Sequence, residues 1–336
     1  VRHQEQLPIR SLLSEWYNAN LLVDMADPGN INSRPTVRTF APELWGEVDA
    51  FVALHSSTYK FEEREKRALG GVVRHFEKAG IFRDKAARSI DALTIEQADM
   101  NRRGYSAAIQ GRETAQDIEA AISELYSCLD CTAKTVRAIY RKDSRGFKDS
   151  TSFLFTSAEK ITGEFPAYLK DLFVTAGWEK PLRHIRDELA HYGTGHCDLT
   201  RNDNSTIRYL HLGIKFDGAP LEIQDVIAWF DAQKDKVNAF LGAVFRFLRS
   251  TLKSGAITTV CGMVDGRMLV RELDPSENPI TFQSGKCIAV QWIENPELPT
   301  CPFIMTCGAY RRARPGIDPA TVLASKLNPE PWAPTA

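Results

Sequence analysis

Two stretches of the chain repeat apolar residues at spacings of four and three. One runs through Ile118, Ile122, Leu125, Leu129, Thr132, Val136 and Ile139. The other runs through Val226, Phe230, Gln233, Val237, Phe240, Val244 and Phe247, and stops where Thr251 takes the next position. Such spacing lays one stripe along a helix and predicts two long helices packed in a bundle. Each seam carries one polar member in its interior, Thr132 and Gln233. Between the seams, "PAYLKDLFVTAG" and "PLRHIRDELAHYG" read as shorter helices that open on Pro166 and Pro181 and stop at Gly177 and Gly193. Leu182, Ile185, Leu189 and Tyr192 form the stripe of the second. The order long, short, short, long suits a four-helix bundle over 113–253, with "STIRYLHLGIKFDG" inserted as a small strand or hairpin.

The flanks read differently. "PELWGEVDAFVALH", with Leu44, Val48 and Phe51 on one face, predicts a helix. So do "KFEEREKRALGGVVRHFEKAG" and "AARSIDALTIEQADMNRRG", which makes 1–110 a mostly helical N-terminal region before a bundle over 111–254. After Lys253 the period changes. "AITTVCGMVDGRMLVREL" carries an Asp-Gly hairpin signal and "PITFQSGKCIAVQWI" a Ser-Gly one, while "FIMTCGAY" suggests a further strand. A small antiparallel β unit of four or five strands over 255–310 follows from this. Residues 311–336 form a Pro-rich tail that is at least partly extended. The fold class is therefore mainly α with a small β part.

Composition narrows the function. The 336 residues allow one large or two modest domains. A formal net charge of −1 gives no global positive field, so nucleic acid would have to meet a local patch. The most apolar segment, "AFLGAVFRFL", is broken by Arg246 and too short to span a bilayer, so no membrane partner is expected. The N-terminus shows no apolar signal core, and seven cysteines are an odd count, which together favour free thiols in a reducing cytoplasm. Cys128 and Cys131 make a C-x2-C, but inside a helical run and without a second pair, so they read as core-facing residues rather than metal ligands. No P-loop, GxSxG or GxGxxG is present, and no cofactor is expected.

The candidate chemistry lies in "RDELAHYG", residues 186–193. On a helical wheel, Arg186 and His191 flank a strip containing the small Ala190, opposite the apolar stripe. Both side chains can reach one phosphate there, and a second copy of the chain would add further groups. Asp187, four residues before His191, would favour the imidazolium, as would the helix C-terminus. A histidine poised near neutral pH acts as general acid or base, and the planar fork of an arginine suits phosphate oxygens. These parts suffice to cleave RNA without a metal: the base helps the 2′-hydroxyl attack the adjacent phosphate, and the cation stabilises the crowded transition state. Arg183 and Tyr192 are the candidate substrate contacts, against plainer readings as a surface arginine and a packing tyrosine.

Plainer alternatives stand beside this. An Arg and a His at this spacing on a charged helix face are common, so the spacing alone decides nothing. His184, Glu188 and His191, with His196, Cys197, Asp198 or His211, could be imagined as a zinc site, though no HExxH or paired C-x2-C supports it. "YRRARPG" at 310–316 could grip a nucleic-acid backbone or be a solvated basic turn.

The segment Arg186-Asp187-Glu188-Leu189-Ala190-His191 resembles the signature of the HEPN family: Arg, four to six residues, then His, on a short helix of a bundle with long outer helices. The resemblance covers 113–253 and is silent on the rest. It implies a HEPN-like bundle and a metal-independent endoribonuclease, often of toxin or defence type. It also implies a homodimer whose two motifs share one cleft, with an antitoxin or other inhibitory protein as possible partner. Arg186 and His191 would be the catalytic pair and Asp187 their polar neighbour, although Asp is less typical there than Asn. The rival expectation is a non-catalytic dimerisation scaffold whose β unit binds a partner.

Overall fold

In a computed structural model of the chain, residues 37–39, 46–191, 193–200 and 203–327 are described. The helices begin where their caps allow. Helix α1 spans Glu47–Leu54. Helix α2, Glu63–Ala87, opens on a capping box in which Glu62 and Glu65 satisfy each other's backbone N–H. Helix α3 spans Ile90–Arg103 and ends on the left-handed Gly104. Helix α4, Ile109–Tyr140, is the longest element among the described residues. Helices α5 (Thr151–Ser157), α6 (Ala167–Thr175) and α7 (Glu179–Leu189) follow. Helix α8, Val226–Ser250, opens on Asp225, whose carboxylate accepts from the Ala228 N–H at 2.9 Å.

Both predicted seams are buried. Ile118, Ile122, Leu125, Leu129, Thr132 and Val136 line α4, and Val226, Phe230, Gln233, Val237, Phe240 and Val244 line α8. Thr132 does not reach across to Gln233; its hydroxyl donates to the Cys128 carbonyl of its own helix at 2.8 Å. Cys128 and Cys131 are core residues. The order of α4, α6, α7 and α8 is the long, short, short, long one expected.

What the periodicity does not reveal is the main partner of α4. Helix α2 packs along most of it. Leu69, Val72 and Ala79 of α2 share one core with the α4 and α8 seams, so the expected boundary near residue 110 falls inside a single core. The approach is close at Gly71, where a Cβ would stand 2.8 Å from the Cys131 sulfur. Helix α1 joins the same core through Phe51, whose ring meets Phe245 edge-on at 5.6 Å.

Among the described residues, strands form three small antiparallel sheets. Strands β2 (Ser144–Arg145) and β3 (Thr162–Gly163) pair before α6. The insertion before α8 holds three strands, β4 (His196–Thr200), β5 (Asp203–Phe216) and β6 (Ala219–Ile223), where one strand or hairpin is expected. At the C-terminal end, β7 (Ile257–Val264) and β8 (Arg267–Leu273) form the hairpin that Asp265-Gly266 predicts; both turn residues have positive φ, +48° and +76°.

The rest of this unit corrects the sequence reading. Its four-stranded sheet takes an edge strand, β1 (Val37–Thr39), from the N-terminal region, in the order β1-β7-β8-β9. The second expected hairpin is reduced to β9 (Lys286–Cys287), followed by a short helix α9, Val290–Glu294. "FIMTCGAY" is a turn leading into helix α10, Gly308–Ala313, because Phe303, Ile304 and Tyr310 pack inward around a bend. Part of the expected extended tail is helix α11, Pro319–Leu327, while 328–336, like Leu44, lie outside the described residues. This unit has its own core. A small cluster of Ala50, Leu54, Leu273 and Ile280 joins it to α1. The chain is thus mainly helical with small antiparallel sheets, and no helix among the described residues is long and apolar enough to cross a membrane.

The close contact of α2 and α4 gives a stability prediction. Gly71→Val should lower unfolding free energy by about 1–3 kcal/mol, the usual penalty for overpacking. Adding Cys131→Ala to the same chain should restore part of the loss in urea denaturation. Strictly additive effects would mean that the two positions do not touch.

Candidate functional site

Helix α7 begins two residues before the expected Pro181, which falls in its first turn, where a missing N–H is harmless. Leu182 and Ile185 are buried, each contributing about 1.5–3 kcal/mol relative to exposure. The helix ends at Leu189 rather than Tyr192. Its last turn tightens, with the N–H groups of Ala190 and His191 donating three residues back, to the carbonyls of Asp187 and Glu188. His191 therefore sits just past the helix, exposed to solvent.

Arg186 is held by its neighbours on α4. Its guanidinium lies over the ring of Tyr126, 4.2 Å from the centroid, and Nη2 stands 3.6 Å from Asp130 Oδ2. Nη1 meets Asp187 Oδ1 at 3.1 Å. The side chain keeps about a third of its surface open, 35%. Tyr126 is itself fixed. Its hydroxyl donates to Glu179 Oε1 at 2.8 Å, and both residues are 1% exposed. Arg183 Nε approaches the same Oε1 at 3.8 Å. Burial pushes the Glu179 carboxyl above the ordinary carboxylate value, against the pull of Tyr126 and Arg183. Burial, with Glu179 beside it, pushes the Tyr126 phenol up as well.

Several of the sequence expectations resolve here. Arg186 and His191 both reach the surface at one end of α7. Asp187 pairs with Arg186 rather than with His191, because the tightened last turn breaks the four-residue register between them. Arg183 is turned toward Glu179. Tyr192 lies outside the described residues. Tyr126, Asp130 and Glu179 are the site residues the pattern reading missed. Their signal is a Tyr and an Asp four apart on α4, beside the apolar seam, which reads as ordinary solvated surface.

The loop after His191 is anchored at two points. His211, buried on β5, places Nε2 2.5 Å from the Gly193 carbonyl, while Nδ1 accepts from the N–H groups of Gly213 (3.2 Å) and Ile214 (3.1 Å). Two donors at Nδ1 assign the proton to Nε2, so this histidine is a neutral clamp. Glu119 of α4 accepts from the Gly195 N–H at 2.6 Å and from the Tyr209 hydroxyl at 2.8 Å. Gly195 has no room for a side chain, since a Cβ would stand 2.6 Å from the Tyr209 ring.

The other candidates find structural roles. His184 Nε2 donates to the Lys215 carbonyl at 3.2 Å and its ring meets Phe216 edge-on. Among the described residues no three His, Cys, Asp or Glu side chains gather as metal ligands, so the imagined zinc set does not assemble. The basic run 310–316 binds its own chain: Arg312 donates to the Gln283 and Gly285 carbonyls, Arg311 to that of Met305, and Arg314 pairs with Glu294 at 2.9 Å.

The raised Glu179 carboxyl predicts a pH dependence. An acid whose folded-state value lies above its unfolded one stabilises the fold at low pH, and that contribution is lost as pH rises through the folded value. Glu179→Gln keeps an acceptor for Tyr126 but cannot ionise. Its melting temperature should gain on wild type as pH climbs above the ordinary value of 4.5. A gap that stays constant from acid to neutral pH would show that Glu179 is not perturbed.

Comparison with family models, with curated proteins and with solved structures finds no match to this chain.

Proposed function

We propose that the protein is a metal-independent endoribonuclease of HEPN type, acting as a homodimer. One observation carries the reading: a half-open arginine fork, held on a tyrosine ring, shares the end of α7 with an exposed histidine. Arg186 needs no reordering to meet a phosphate, because Tyr126 and Asp130 already fix its plane. His191 takes the proton of the 2′-hydroxyl as its oxygen attacks phosphorus. The 5′-oxygen of the next nucleotide leaves and is protonated, by the same group or by His191 of a second copy. The products are a 2′,3′-cyclic phosphate and a 5′-hydroxyl. DNA lacks the 2′-hydroxyl and is inert. An inhibitory protein that covers the end of α7 would silence such an enzyme, as in a toxin or defence system of the cytoplasm.

A second reading, a non-catalytic scaffold whose C-terminal unit binds a partner, draws on a different observation. Asp130 and Asp187 both lie against Arg186 and offset its charge, which weakens attraction for a polyanion.

The two readings part in one assay. Purified protein in EDTA should cleave single-stranded RNA and leave 2′,3′-cyclic ends. Arg186→Ala and His191→Ala should each lower the rate by roughly 10²–10⁴-fold, as expected for loss of general acid–base or electrostatic catalysis. Absence of cleavage in EDTA, or cleavage unchanged by both substitutions, would leave the scaffold reading.

A further inference from the structure

The α7 site is locally balanced in charge, since Arg183 and Arg186 face Glu179, Asp130 and Asp187. A polyanion must find its attraction nearby, and a net charge of −1 confines that attraction to a local patch. One such patch begins a single turn of α4 beyond Asp130. Residues 134–149 carry Lys134, Arg137, Arg141, Lys142, Arg145 and Lys148 against two acids, Asp143 and Asp149. Among the described residues, two of these six cations form ion pairs: Arg137 with Asp149, and Arg141 with Glu65 at 3.4 Å.

The patch shares a face of α4 with the site. At about 100° per residue, Glu119, Tyr126, Asp130, Lys134 and Arg137 fall within about 80° of the wheel. Along that face the loop after His191 is tied at Glu119, Arg186 lies at Tyr126 and Asp130, and the patch follows. Asp130 and Arg137 are about 10 Å apart along the axis. Arg137 straps the next loop to the helix, because its Nη1 donates to the Lys148 carbonyl at 3.4 Å and pairs with Asp149. Between α4 and the start of α5 this leaves a cleft lined by Lys134, Arg137, Lys148, Ser150 and Thr151. It is open to solvent and, with its mouth, encloses about 310 Å³. Lys134 and Lys148 are both exposed. The Lys148 ammonium lies over the Phe153 ring, 5.5 Å from its centroid. Two ammonium groups on one cleft repel each other, and an anion between them turns that repulsion into attraction.

We infer that this cleft holds a backbone phosphate of the single-stranded RNA whose scissile bond lies at α7. The identity of the strand rests on the ribonuclease reading; the cleft and its charge do not.

The test uses the whole chain and a fluorescent single-stranded 2′-O-methyl oligoribonucleotide, which has no free 2′-hydroxyl and cannot be cut. Anisotropy should show binding whose log affinity falls linearly with log salt. Lys134→Gln with Lys148→Gln should flatten that slope by about 0.7, the loss of one phosphate contact on a single strand. In the cleavage assay the same pair should raise KM and leave kcat unchanged. Arg267→Gln with Lys286→Gln, both exposed in the C-terminal unit, removes equal charge and should change neither reading. A slope no flatter in the cleft pair than in the control pair overturns the proposal. So does a wild type that ignores the oligonucleotide or prefers phosphatidylserine vesicles to it. Binding that depends on the two lysines in a protein that cuts no RNA would sink the ribonuclease reading alone and leave the cleft standing.

Discussion

The carboxyl of Glu179 has almost no contact with solvent, and the hydroxyl of Tyr126 donates to it. That one bond joins the first turn of α7 to the middle of α4. Without a partner, a carboxyl in this position would cost several kilocalories per mole to bury, so helix and tyrosine are fixed together. The consequence runs outward. A tyrosine whose hydroxyl is tied down presents its ring in one orientation, and Arg186, two turns further along α7, lies on that ring. The guanidinium plane is thus set by a carboxyl that it does not touch. At the other end of the helix, His211 and Glu119 fix the loop that follows His191. The short helix is held at its start by a buried acid and beyond its end by a buried base.

This arrangement restrains the helix more than it charges it. Arg183 and Arg186 face Glu179, Asp130 and Asp187, so the positive groups of α7 are locally offset. A polyanion arriving there would have to compete with Asp130 and Asp187 for the guanidinium. Asp187 is 49% exposed and Asp130 30%, so solvent screens both of their pairings with Arg186.

Much of this was legible in the sequence, for a physical reason in each case. The α4 and α8 seams appear because every third or fourth residue must be apolar on a buried face, and Asp265-Gly266 appears because both turn residues need positive φ. The pairing of α2 with α4 was not legible. The apolar side of α2 is narrow, and the contact depends on Gly71, which leaves no hydrophobic mark. Tyr126 and Asp130 lie off the apolar seam, and nothing local shows that α7 will pack against them. The end of α7 was misplaced because Leu189 and Tyr192 continue the apolar stripe past the point where the hydrogen bonds change from four-residue to three-residue spacing. In the C-terminal unit, "FIMTCGAY" has strand-like composition but folds as a turn and helix, because its apolar residues close a small core rather than line one face of a sheet.

The two cores use the same pair of groups under opposite conditions. Arg186 lies over Tyr126 and Arg271 near Phe282, so each guanidinium has an aromatic ring beside it. Arg186 also has two carboxylates and partial access to water, which makes its charge inexpensive to keep. Arg271 has only neutral acceptors, two carbonyls on one nitrogen, and is cut off from water. Neutral carbonyls satisfy hydrogen bonds but leave most of the electrostatic cost of burial in place. A purely structural anchor for the loop 282–284 would be served as well by a neutral donor. Arg271 keeps a full charge against two carbonyls and the neighbouring Cys261 side chain, with no carboxylate beside it among the described residues.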